Sequence, residues 1–191
     1  NDMQKERVKM FIERIKEKYT TRDPIFTKEI MELFPEYSER HVYRLIKKAI
    51  SDKELILFTR GIYAIPSETI FGTLIGTSTD DIAYKRYIKR DNDVFGIISG
   101  MMLLNIFHIT TQMPAIWHIV TNNEATRSRK IVIDRRKFIL HKSRVTINNE
   151  NYAAYTVVQL FTDMDDNLVE SGVITIDVLN FIFSTDISIV V

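Results

Sequence analysis

Ser38-Glu39-Arg40-His41-Val42-Tyr43-Arg44-Leu45-Ile46-Lys47-Lys48-Ala49-Ile50-Ser51 is the stretch whose periodicity decides how the first third of this chain is read. Placed at helical steps, Val42, Leu45, Ile46 and Ala49 fall on one narrow arc. The opposite arc carries Arg40, Arg44, Lys47 and Ser51, with Tyr43 and Lys48 on its flanks. Ser38 stands where a hydroxyl can cap the first turn. The pattern predicts a helix running to about Asp52, apolar on its core side and cationic on its outer side.

Working outward, Gln4 to Tyr19 repeats Val8, Phe11, Ile12, Ile15 and Tyr19 at helical spacing, with Lys and Glu between them. Thr20-Thr21-Arg22-Asp23-Pro24 stops that helix, because proline cannot continue it. Thr27 is positioned as the cap of a short second helix from Lys28 to Leu33 or Phe34. Pro35-Glu36-Tyr37 is a turn. Beyond the third helix, Leu55 to Phe58 and Ile62 to Ile65 are short apolar runs around Thr59-Arg60-Gly61, the pattern of a hairpin ended by Pro66. Three helices followed by a hairpin is the order of a winged helix-turn-helix, here over residues 1–67. A cationic face on the second helix of such a pair is where groove-reading side chains sit. Alone it is more often a solvated face; the capped helix, the turn and the Arg-Gly hairpin tip together favour DNA. The candidate contacts are Thr27, Lys28, Ser38, Arg40, His41, Tyr43, Arg44, Lys47, Lys48 and Arg60. Contact with another protein through the same module is the alternative.

Residues 67–79 form a Ser/Thr/Gly-rich connection, so a second domain is expected over 68–191. Its elements read as a helix from Asp80 to Lys89, a strand at Asp93 to Ile98 and an apolar helix at Gly100 to Phe107. Strands follow at Ile116 to Thr121, Lys130 to Ile133 and Phe138 to His141, with Val145-Thr146-Ile147 as a further apolar run. Asp134-Arg135-Arg136-Lys137 is a basic turn. Tyr152 to Phe161 reads equally well as strand or helix. Val173 to Phe183 is expected to be a buried helix. The fold class is therefore α+β, a winged helix-turn-helix followed by a mixed α/β domain.

Charge is unevenly spread. Residues 1–66 hold 14 Lys and Arg against 11 Asp and Glu, residues 67–150 hold 12 against 8, and residues 151–191 hold none against 6. A basic front and an acidic end suggest a polyanionic partner for the front. The chain has no cysteine, which excludes disulfides and thiolate chemistry and fits a cytoplasmic protein. No apolar run is long enough to span a bilayer, and no secretory segment is expected. The four histidines, His41, His108, His118 and His141, lack metal-ligand spacing. No nucleophile elbow or phosphate loop occurs. Asp163, Asp165 and Asp166 could imitate a metal-binding trio, but the reading favoured is a solvated turn. No catalytic residue, metal or cofactor is expected, and a metal-dependent nuclease is the weakest of the readings. Arg127, Arg129, Lys130, Arg135, Arg136, Lys137, Lys142 and Arg144 lie in or beside the strands. Extended nucleic-acid contact and protection of a sheet edge explain them equally well.

Three segments together resemble a known family. They are Arg60-Gly61-Ile62-Tyr63-Ala64-Ile65-Pro66; Ile98-Ser99-Gly100-Met101 with Asn105; and Thr110-Thr111-Gln112-Met113-Pro114 with Val120-Thr121-Asn122. Over about residues 5–145 the chain resembles the AbiEi antitoxins of type IV toxin–antitoxin, or abortive-infection, systems. The resemblance implies a winged helix that represses its own operon by binding inverted repeats in the promoter. It implies a C-terminal domain that counters a nucleotidyltransferase-like toxin without a stable complex. It also implies that the C-terminal domain assists DNA binding, which adds Arg135, Arg136 and Lys137 to the candidate contacts. Gly100, Asn105, Gln112 and Pro114 match the family pattern, with a structural reason as open as a functional one.

Overall fold

The computed structural model describes residues 2–70, 72–164 and 176–184. The chain divides into two compact units, residues 1–82 and 83–191. Both mix helix and strand, so the class is α+β.

In the first unit, α1 (Asp2–Lys18) is followed by β1 (Ile25–Phe26), α2 (Thr27–Leu33), α3 (Glu39–Ser51), β2 (Ile56–Thr59) and β3 (Ile62–Ala64). Helix α3 forms where the periodicity places it. Ser38 is extended (φ −67°, ψ 149°), and its Oγ accepts a hydrogen bond from the His41 backbone N–H at 3.3 Å. Val42, Leu45, Ile46 and Ala49 are all buried, packed with Phe11, Ile15, Ile30 and Leu55. Each large apolar side chain taken from water in this way stabilises the fold by about 1.5–3 kcal/mol. The helix ends through Lys53, which takes a left-handed conformation (φ 59°) while Glu54 and Leu55 return their N–H groups to the Ala49 carbonyl.

Helix α2 is capped differently from the expectation. It begins at Thr27, so Phe26 is the residue before it, and the buried Glu29 side chain accepts from the Phe26 N–H at 2.9 Å. The Thr27 hydroxyl instead donates to the Gly61 carbonyl at 3.1 Å, and the Thr27 N–H reaches the same oxygen at 3.0 Å. That junction closes a three-stranded sheet ordered β1-β3-β2, with Ile25 opposite Tyr63 and Ile56 opposite Ala64. Gly61 turns the hairpin with φ +76°, a region open to glycine but costly for other residues.

Residues 67–79 are not a plain connection. They contain a small hairpin of β4 (Ser67–Glu68) and β5 (Leu74–Ile75). A Cβ at Gly76 would lie 2.8 Å from the Ala64 Cβ and 3.0 Å from Ile56, so this segment packs tightly on β2 and β3. For that reason the division of the chain falls after α4 (Thr79–Tyr87) has begun, later than the composition shift suggests.

The second unit contains β6 (Lys89–Arg90), β7 (Asp93–Val94), β8 (Gly96–Ser99), α5 (Met101–Ile106), β9 (Trp117–Thr121), β10 (Ser128–Ile133), β11 (Arg136–Lys142), α6 (Tyr152–Asp163) and α7 (Ile176–Phe183). Its main sheet is ordered β10-β11-β9-β8. Strand β11 is antiparallel to β10 but parallel to β9, so it lies between two strands that precede it in sequence. Helices α5 and α6 pack on β8. Gly96 is required there, since a Cβ would sit 2.0 Å from the Tyr87 carbonyl oxygen.

Tyr152 onward is a helix. Its start is fixed by asparagines: the Asn148 Oδ1 accepts from the N–H groups of Glu150 and Asn151, and the Asn151 Oδ1 accepts from the Asn148 N–H. The apolar run Val145-Thr146-Ile147 forms no strand. Asn122 instead binds that segment, donating to the Ile147 carbonyl at 2.7 Å and accepting from its N–H at 2.9 Å. The C-terminal helix is only partly as expected. Ile176–Phe183 is helical, but Leu179 and Asn180 are exposed rather than buried, and residues 173–175 lie outside the described set. Among the described residues, no helix is long and apolar enough to cross a membrane.

Candidate nucleic-acid interface and a polar cavity

Because the buried arc of α3 locks its rotation, the opposite arc is presented as a fixed set. Arg40, Tyr43, Arg44, Lys47 and Lys48 are all exposed. Arg44 donates from Nη2 to the His41 Nδ1 at 3.1 Å, so that ring nitrogen carries the lone pair. His41 lies tilted against Tyr37 at 4.7 Å, Tyr37 is stacked on Phe34 at 5.9 Å, and Phe34 lies tilted against the buried Phe11 at 4.6 Å. An aromatic ladder thus runs from the core to the first turn of α3 and holds Arg44 at its outer end. Lys48 pairs with Asp52 at 2.6 Å and Lys28 with Glu32 at 3.9 Å, so both charges are partly answered within the unit. Arg40, Arg44 and Lys47 have no ion-pair partner among the described residues. Arg60 is exposed at the hairpin turn beside Gly61. Ser38 and Thr27 act as cap and junction, with hydroxyls already engaged.

The other candidate contacts lie in the second unit. The turn between β10 and β11 is Asp134-Arg135, with Asp134 left-handed at φ 45°. Arg135 and Lys137 are exposed. Arg136 is a strand residue whose guanidinium lies 5.1 Å from the Trp117 ring centroid and 5.8 Å from that of Phe138. It is therefore partly used in holding the sheet.

The same sheet brings together residues that the sequence kept apart. The His118 Nδ1 lies 2.9 Å from the His141 Nε2, with the rings stacked at 5.1 Å. Both line a cavity of about 790 Å³, together with Arg127, Lys142, Arg144 and Asp163. Burial, and secondarily the neighbouring His118, push the His141 pKa below the usual histidine value, while Asp163 opposes them. Asp163 is not a solvated turn. It ends α6 half-buried, accepting from the Gly100 N–H at 2.6 Å and from Gln159 at 2.8 Å. Asp165 and Asp166 lie outside the described residues. In the loop before β10, the buried Glu124 accepts from the Thr126 N–H (3.0 Å), from the Thr126 hydroxyl (2.8 Å) and from Arg129 Nε (2.9 Å). The Thr126 backbone bond leads in lowering its pKa to about 2.

Comparison with family models, with curated protein sequences and with solved structures returned no match.

Two residues of the resemblance motifs have local work. Asn105 donates to the Thr110 carbonyl at 3.2 Å, and the Gln112 N–H donates to the Thr110 hydroxyl, which together shape the loop after α5. The histidine pair and its cavity escaped sequence reasoning. His118 and His141 are 23 residues apart, and only the parallel pairing of β9 with β11 makes them neighbours. The usable signal was a histidine in each of two apolar strands.

Proposed function

We propose that the first unit is a winged helix-turn-helix that binds duplex DNA, with α3 as the groove-reading helix and the Arg60-Gly61 turn against the backbone. One observation carries the reading: Arg40, Arg44 and Lys47 project from the exposed arc of a helix whose other arc is buried and cannot rotate. Arginine can read guanine edges with two parallel hydrogen bonds, and lysine neutralises phosphate. The hydrogen bond to His41, itself held against Tyr37, favours recognition by Arg44, since a preordered side chain loses less freedom on binding.

The wider reading draws on the resemblance to AbiEi antitoxins. In it, the chain represses its own operon by binding inverted repeats in the promoter, and its second unit counters a nucleotidyltransferase-like toxin without a stable complex. The basic balance of residues 1–150 is consistent with the DNA-binding part.

The test is a titration of the full chain with a fluorescent duplex of its promoter region at several salt concentrations. If α3 and the hairpin turn neutralise about four phosphates, the logarithm of the affinity falls with a slope of about −3.6 per protomer. A flat salt response, or unchanged binding by the Arg44→Ala and Arg60→Ala variants together, rejects this interface. Stable co-purification with the neighbouring gene product would turn the assignment towards protein contact.

A further inference from the structure

The cavity of the second unit is not used by the DNA-binding reading, and its chemistry points elsewhere. It is large enough for a mononucleotide, within the range of about 300–1,000 Å³ typical of small-molecule sites. Its fixed charges are unbalanced. Arg127, Lys142 and Arg144 face a single described carboxylate, Asp163. None of the three cations has an ion-pair partner among the described residues. Both oxygens of Asp163 already accept hydrogen bonds, from Gly100 and from Gln159. The wall therefore offers donors in excess of acceptors, which suits an anion and disfavours a cation.

We propose that this cavity binds the phosphate monoester of a nucleotide-sized ligand, with Arg127 and Arg144 as its main donors and the His118–His141 pair as a proton-accepting wall. A phosphate monoester carries up to two negative charges, the surplus that the three cations and one carboxylate leave. In the free protein the two imidazoles share one hydrogen bond at 2.9 Å. An anion beside them stabilises a further proton on the pair, so binding takes up a proton. The charged and titratable groups that share the cavity wall with His141 are His118 from β9, Asp163 from α6, Arg127 from the loop before β10, and Lys142 and Arg144 at and beyond the end of β11; of these, His118 and Asp163 act on its pKa. The proposal concerns only the second unit and stands or falls independently of DNA binding.

The experiment is calorimetric titration of the full chain with AMP, inorganic phosphate and adenosine, without DNA. AMP is expected to bind, phosphate to bind more weakly, and adenosine not to bind. Arg144→Ala and Arg127→Ala, both at exposed positions, should each weaken AMP by about tenfold while leaving the thermal midpoint unchanged. Sulfate, whose charge is constant between pH 6 and 8, should bind at least about threefold tighter at pH 6, and His141→Asn should remove that dependence. Failure of both AMP and phosphate to bind the folded chain overturns the proposal. So does adenosine binding as tightly as AMP, or AMP affinity unchanged in both arginine variants. A pH-independent sulfate affinity overturns the role of the histidine pair.

Discussion

His118 Nδ1 and His141 Nε2 are 2.9 Å apart across two parallel strands, a contact from which we expect folding of the second unit to be sensitive to mild acid. One of the two nitrogens must supply a lone pair, so the pair resists double protonation. Burial and His118 hold the His141 pKa below its usual value. The sign follows from linkage. The unfolded chain binds the proton more readily, so this contribution is fully present above about pH 6.5 and is lost as pH falls through that value towards the folded pKa. The thermal midpoint should drop between pH 7 and pH 5 in the native chain. The drop should be smaller in His141→Asn, and equal drops would show that the pair does not couple to folding.

Glu124 titrates in a separate window. Its pKa is about 2 in the folded chain, against an ordinary carboxylate value of 4.5. Stability from this group is present above 4.5 and is lost as pH falls from there to about 2. Because the histidine contribution begins to be lost near pH 6.5 and that of Glu124 only near 4.5, acid unfolding should show a histidine-dependent loss first and then a Glu124-dependent fall. Glu124→Gln keeps the shape but turns an amide donor towards Arg129. We expect it to cost about 1–3 kcal/mol in chemical denaturation at pH 7 and to flatten the fall below pH 4.5. An unchanged denaturation midpoint at pH 7 would remove Glu124 from the forces holding this loop.

The first unit was largely legible in the sequence, because its contacts are local and periodic. Val42, Leu45, Ile46 and Ala49 announce one buried arc, and Ser38 announces its cap. The second unit was legible in its elements but not in their arrangement. Strands β9, β10 and β11 follow one another in sequence, yet β11 sits between the other two. Nothing in an apolar alternation encodes that insertion, so the His118–His141 pair was invisible. Tyr152 to Asp163 was ambiguous for another reason. Its β-branched and aromatic residues suit either structure, and the decision rests on hydrogen bonds from Asn148 and Asn151 just before it.

Gly96 tests the packing of the second unit directly. Its missing side chain leaves room for the Tyr87 carbonyl, which a Cβ would approach to 2.0 Å. The obstacle is backbone, so no rotamer change relieves it. Gly96→Ala should destabilise by about 1–3 kcal/mol or prevent the second unit from folding, measured by chemical denaturation. Gly72→Ala is a contrasting case: its Cβ would meet only a side-chain oxygen at 3.6 Å, so its cost comes from a backbone held at φ +74° rather than from a clash. An unchanged denaturation midpoint in Gly96→Ala would contradict the close approach there.

Arg44 and His41 separate preordering from charge on α3. Arg44→Ala removes both a cation and a candidate base contact. His41→Ala leaves the cation in place but frees it from the 3.1 Å hydrogen bond and breaks the ladder to Tyr37. Arg44→Ala should weaken promoter binding by about 1–3 kcal/mol and reduce the salt slope by about 1. His41→Ala should weaken binding by a smaller factor and leave the salt slope unchanged, because no charge is lost. Arg44→Lys discriminates further: a point charge preserves the phosphate contribution but cannot make two parallel bonds to guanine. It should therefore keep the salt slope while losing preference for the promoter over an unrelated duplex. If Arg44→Lys retains that preference in full, Arg44 contacts only the backbone, and base recognition must come from Arg40 or Lys47.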